Sequence, residues 1–257
     1  MEEPPFMRIP SEIRLMIYDL LLNDKGNKVL EFRNEEPDKY NKRASTIRTS
    51  YNVLGRDLAR QSRLTTYHLV SDIEMHTAVM RVNRQIYAET AHSLYSTHSF
   101  SFGRDIEAIV PFFGDLTKQT RPLIREISLV KQGSVYSRDY DRCEWAQMCS
   151  FLREQMQIRS LNLVVEGGRP SLGWAGLPTY SANDFKTLEK VKLEQLEWVW
   201  QLLAIKGIKK LEVGSQINHC PPSHSDAMAF FAGFSASIEE GFAEYLRGKL
   251  CRDVSLS

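Results

Sequence analysis

Residues 6–22, FMRIPSEIRLMIYDLLL, put apolar side chains around more of a helix's circumference than one small core can cover. Pro10 suits a first helical turn, where its missing N–H costs nothing, and Glu12 sits near the positive end of the helix dipole. Ile13, Met16, Ile17, Leu20 and Leu21 recur at i, i+3, i+4, i+7 and i+8 as one continuous stripe. Leu15, Tyr18 and Leu22 make a second stripe, leaving Glu12, Arg14 and Asp19 as the clearly polar positions. Such a helix is either sandwiched inside its own protein or shared with a partner.

The 257-residue chain is long enough for one large domain or two small ones. Its formal net charge of +1 gives no global electrostatic reason to expect nucleic acid or a membrane surface as partner. No run approaches the roughly 18 apolar residues of a membrane span. The opening MEEPPF lacks the basic start and apolar core of a signal peptide, so the expected setting is cytoplasmic or nuclear. Cys143, Cys149, Cys220 and Cys251 show neither a CxxC pair nor a framework spacing and read as free thiols.

Beyond the opening helix, residues 28–33 suggest a short strand, 34–50 a polar surface loop, and 54–64 a short helix within an insertion. Helical spacing returns at 75–95 as one long helix or two joined near Glu89, and HSFSF at 98–102 alternates like a strand. A template LxxLxL then fits four times: Ile124, Ile127 and Leu129; Ile158, Leu161 and Leu163; Leu188, Val191 and Leu193; Ile208, Leu211 and Val213. Helical patterns at 143–156 and 194–205 separate two of these intervals, the reading of a leucine-rich solenoid. The alternative is a generic α/β layer with buried strands. The apolar 228–250 segment is expected to form one or two short helices that cap the solenoid end.

Signatures of chemistry are scarce. Neither GxxxxGK[ST] nor GxSxG occurs, and the glycines from Gly167 to Gly176 lack GxGxxG spacing and read as loop. His219, Cys220 and His224 are suitable zinc donors without an evident fourth ligand. Catalytic residues, a metal and a cofactor are therefore not expected. A small-molecule site on the loop between Gly167 and Tyr180, near Trp174, is a minor alternative.

IPSEIRLMIYDLLL resembles the first half of an F-box, whose pattern begins Leu-Pro-x-Glu, and MHTAVMRVNRQIYAETAHSLYSTHSF resembles its second half. Together they resemble the F-box-like domain of uncharacterised filamentous-fungal families, in which a variable insertion separates the halves. The resemblance implies a non-enzymatic, substrate-recruiting adaptor of an SCF-type ubiquitin ligase, docking on a Skp1-like protein and holding an unknown protein substrate. Carried over by position, it implies a Skp1-like contact surface of Ile9, Pro10, Ile13, Met16, Ile17, Leu20, Leu21, Val82 and Arg84. Asn83 stands where Cys is common in the family's second half, and Ile86 stands at the Trp position. A degenerate F-box-like scaffold that does not bind a Skp1-like protein is the alternative.

The expected fold class is α+β to α/β. An F-box-like helical module spans 6–98 with a long insertion at about 28–73, and an irregular leucine-rich-like α/β domain with a helical C-terminal cap spans 99–257.

Overall fold

The computed structural model describes residues 4–23, 28–34, 46–54, 60–70, 75–133, 139–170, 178–220 and 225–251. Seven strands, β1 (Val29–Arg33), β2 (Thr46–Leu54), β3 (Arg60–Leu69), β4 (Ser99–Ser101), β5 (Glu126–Lys131), β6 (Ser160–Pro170) and β7 (Lys210–Cys220), form one sheet. Their order is β2-β3-β1-β4-β5-β6-β7. β1, β4, β5, β6 and β7 run parallel, and β3 and β2 add an antiparallel hairpin beside β1. The helices are α1 (Ser11–Leu22), α2 (Arg84–Thr97), α3 (Ile109–Asp115), α4 (Asp139–Gln155), α5 (Ala182–Lys190), α6 (Glu197–Leu203), α7 (Asp226–Ala236) and α8 (Ala243–Leu250). Among the described residues, no helix is long and apolar enough to cross a membrane.

The period-two alternation of the strands assigns the two faces of the sheet. Leu30, Phe100, Ile127, Leu161 and Leu211 stand in one row across the five parallel strands, and all five are buried. The next row, Glu31, Ser101, Ser128, Asn162 and Glu212, is polar, and none of its members is buried. The parallel strands join the sheet in chain order without reversal, so successive right-handed crossovers fall on one side. Helices cover the apolar face, and the polar row from Glu31 to Glu212 on the other face stays outside the core. Across the covered face, Trp145 of α4 donates its Nε1–H to the Trp198 carbonyl of α6 at 2.9 Å, with the two rings edge to face.

Three of the four LxxLxL segments lead into or form neighbouring parallel strands. Ile124, Ile158 and Ile208 are buried just ahead of β5, β6 and β7. The segment at Leu188, Val191 and Leu193 is not a strand. A capping box between Ser181 and Asp184 starts α5, which runs to Lys190, and the chain turns at Lys192 with φ 52°. Val191 consequently lies on the surface.

Other expectations are corrected by the pairing. Within the segment 28–73, expected as an insertion, β1 pairs with β4 and carries Leu30 and Phe32 into the same core cluster as Met7 and Leu250. A single sheet therefore crosses the boundary expected at 98/99. Residues 46–54 and 60–69 pair as a hairpin in place of a loop and a short helix; the β-branched and aromatic run Thr65, Thr66, Tyr67 suits a strand. Gly167 and Gly168 lie in β6 because α7 packs onto them: a Cβ on Gly167 would meet Ser235, and one on Gly168 would meet Phe231 and Cys220. Gly168 N–H donates to Ser235 Oγ at 2.9 Å across this contact. Residues 171–177, including Trp174 and Gly176, lie outside the described residues. The C-terminal helices lie over β6 and β7, with a π-turn at Ile238–Phe242 between them.

Candidate functional site

Two of the apolar positions on α1 face inward together with one charge. Tyr18 and Leu22 are fully buried, and Arg14, one α-helical turn before Tyr18, is buried with them. A guanidinium is tolerated there because four of its five N–H donors are spent. Nε and Nη2 donate to the two Glu89 carboxylate oxygens of α2 at 3.0 and 2.6 Å, and Nη1 donates to the Met7 and Ile9 carbonyls at 3.1 and 2.6 Å. The Tyr18 hydroxyl donates to Glu89 Oε2 at 2.9 Å, and Gln85 Nε2 adds a fourth bond to that carboxylate at 3.2 Å. The hydrogen bonds from Arg14 hold the Glu89 carboxyl down at about 2, against the smaller opposing effect of burial. Burial pushes the Tyr18 phenol up to about 12, reinforced by Glu89, and the Glu89 hydrogen bond raises the Arg14 guanidinium further.

This network fixes which side of α1 faces outward. Ile13, Met16 and Leu20 follow at i, i+3 and i+7 and are 46%, 64% and 68% exposed. Ile17 and Leu21 are half-buried along the border of that stripe. Leu15, on the second stripe with Tyr18 and Leu22, is exposed, so that stripe is not buried along its whole length. Pro10 is the N-cap, not a first-turn residue; its carbonyl accepts from the Ile13 and Arg14 N–H groups, both at 3.1 Å, and Ile9 beside it is half-buried.

The second half-motif is broken earlier than its spacing suggests. A 3-10 turn at Thr77–Arg81 precedes α2, and Asn83 caps α2 by accepting the Ile86 N–H at 2.8 Å. The break lies at 82–83, and Glu89 is inside α2. Ile86 is buried in the core, so it offers nothing to a surface ligand, while Val82 is 65% exposed and Arg84 is also exposed. The His76 N–H donates to the Leu21 carbonyl at 2.9 Å, which ties the approach to this turn to the last turn of α1. Every residue of the implied contact set is thus at least partly exposed, and the set divides into the α1 stripe with its entry and the pair Val82 and Arg84. Arg14 and Glu89 were not legible as a functional pair, although Arg14, Tyr18 and Leu22 at i, i+4 and i+8 share a face.

Residues 2–179 match the family model described as Domain of unknown function (DUF7730). The chain belongs to the DUF7730 family. No curated protein and no solved structure matches it. The DUF7730 match takes in α1, the Arg14–Glu89 anchor, α2 and the sheet through β6, so β7 and α5 to α8 lie beyond it.

Elsewhere in this DUF7730 protein, no group of three or more metal-ligating side chains converges among the described residues. His219 and Cys220 are consecutive on β7 and therefore point to opposite faces; His219 is exposed, Cys220 is buried, and His224 lies outside the described residues. The α1 face presents apolar side chains to the surface on a helix tied to α2 by a buried ion pair.

Proposed function

We propose that this DUF7730 protein is a non-enzymatic interaction protein whose α1 face docks a Skp1-like adaptor, as in an SCF-type ubiquitin ligase. One observation carries the reading. Among the described residues, eight large apolar side chains are exposed, and four of them, Ile13, Leu15, Met16 and Leu20, belong to the single helix α1. Val82, in the segment leading to α2, is a fifth. Covering a side chain of this kind contributes roughly 1.5–3 kcal/mol, so the stripe suffices for a specific contact. The scaffold alternative requires the Ile13 stripe to be covered by the chain's own C-terminal layer, and its exposure favours docking. The substrate-holding part would be the sheet from β4 onward, where the Ile and Leu rows of β5, β6 and β7 support a leucine-rich-like reading and alternate with a polar row.

The test is retention of a recombinant Skp1-like protein on the immobilised full chain. Met16→Asp with Leu20→Asp places two charges on the exposed stripe, where the free protein tolerates them. It should melt like the parent and lose retention, because a buried unpaired charge costs several kcal/mol in the complex. Val191→Asp, on an exposed apolar side chain far along the sequence, should retain it. Failure of the parent chain to bind, or undiminished binding by the double variant, would refute the proposal.

A further inference from the structure

β7 ends the sheet, and the outer side of this strand is treated differently along its length. The Lys210 N–H donates inward to the Arg159 carbonyl at 2.9 Å. Even-numbered residues of β7 therefore turn their backbone groups toward β6, and odd-numbered ones turn theirs outward. Two side chains close the first half of that outer edge. Arg247 Nε donates to the Leu211 carbonyl at 3.2 Å, and Glu239 Oε1 accepts from the Ser215 N–H at 3.1 Å and from Ser215 Oγ at 2.7 Å. Side chains that occupy an edge in this way prevent another strand from pairing there.

Among the described residues, no side chain closes the second half in this way. The Ser215 carbonyl and both backbone groups of Ile217 and of His219 have no hydrogen-bond partner among the described residues. Residues 216–219 are exposed, yet β6 pairs beside them as far as Pro170 with Cys220, so the strand is held in register on its inner side. An extended segment added here would gain five main-chain partners without reorganising the sheet.

The chemistry next to the edge selects the occupant. A groove of about 420 Å³, which meets β7 through Glu239 at Ser215 and Arg247 at Leu211, is lined by Tyr180, Glu239, Glu240, Glu244 and Arg247. Arg247 is directed to the Leu211 carbonyl, and Glu240 and Glu244 have no ion-pair partner among the described residues. A second copy pairing edge to edge would bring these glutamates against their own kind. We infer that the 215–219 edge of β7 takes up an extended peptide segment of a partner protein as an eighth strand, with lysine or arginine side chains reaching Glu240 and Glu244. This inference is independent of what docks on α1.

The test uses the full chain and two fluorescein-labelled ten-residue peptides, one alternating lysine with valine and one alternating glutamate with valine, read by anisotropy. The lysine peptide should bind at least about tenfold more tightly, with affinity falling as salt is raised. Ile217→Pro and His219→Pro each remove one outward N–H and leave the β6 ladder intact, and each should weaken binding about tenfold or more. Glu240→Lys with Glu244→Lys should reverse the preference. A lysine peptide N-methylated at alternate residues gives the same readout on the unaltered protein and should not bind. Equal binding of the two peptides overturns the inference. So does undiminished binding by both proline variants or by the methylated peptide, which would indicate acidic-surface attraction alone. A dimer in sedimentation that the proline variants convert to monomer would assign the edge to a second copy and equally overturn it.

Discussion

Glu89→Gln tests how the exposed helix is held. The substitution keeps the size of the side chain, removes its charge and replaces one of its two acceptor oxygens by a donor, leaving the buried Arg14 guanidinium with only the Met7 and Ile9 carbonyls as strong acceptors. Glu89 is held near 2 in the folded protein against 4.5 ordinarily, and its side chain is 22% exposed. At about 1.4 kcal/mol per pK unit the depression is worth roughly 3 kcal/mol near neutral pH. That agrees with about 3–5 kcal/mol for breaking a buried ion pair by removing one partner. Because the folded value is the lower one, the contribution is complete well above pH 4.5 and is lost as the pH falls toward 2. The stability difference between parent and Glu89→Gln in urea melts should therefore be about 3 kcal/mol at pH 6 and about half of that at pH 3. A difference below about 0.5 kcal/mol at pH 6, or one that does not narrow on acidification, would refute the reasoning, since either result means that the ionised carboxylate does not anchor α1.

Two further outcomes rest on packing. A Cβ on Gly241 would overlap the Tyr180 carbonyl oxygen and crowd the Ser181 backbone, whereas one on Gly248 meets nothing within 4 Å. Gly241→Ala should lower stability by about 1–3 kcal/mol in urea melts, and Gly248→Ala, within α8, should be neutral or slightly stabilising; equal effects would contradict the close approach at the π-turn. Burial pushes the Cys149 thiol far above its ordinary value, with Lys131 and Arg153 opposing only in part. Iodoacetamide at pH 8 should modify the half-buried Cys251 in the native protein and leave Cys149 unmodified, as read by peptide mass spectrometry; rapid alkylation of Cys149 would contradict its burial.

The parallel part of the fold was readable where pattern and packing agree. Ile127 with Leu129 and Leu161 with Leu163 alternate because one face of each strand is covered, and that alternation is what the LxxLxL template detects. It misled at Leu188 to Leu193, where the same spacing of apolar residues arises at a helix end and the turn that follows. Gly167 and Gly168 read as loop because sequence cannot tell a glycine needed for turning from one needed for the approach of α7. On α1, the helical period marked out two apolar stripes without saying which side was inward. That choice depends on Glu89, whose distance from Arg14 along the chain, 75 residues, hides the pair from any local pattern. Asn83 and Ile86, departures from the F-box pattern, have local physical reasons: one caps α2 and the other fills the core.

The placement of β1 between α1 and α2 in the chain, and between β3 and β4 in the sheet, makes α1 thermodynamically inseparable from the strands. A protein that grips only the correctly presented α1 surface favours the entire native ensemble over the unfolded one. At one hundred times its dissociation constant it would raise the unfolding free energy by about 2.7 kcal/mol. The increment would then be felt as far away as the row from Leu30 to Leu211, through the shared core and without any contact there. Conversely, a lesion in that distant core would reduce the fraction of molecules competent to associate, and weaken apparent affinity in proportion, while the contact surface itself stayed chemically intact.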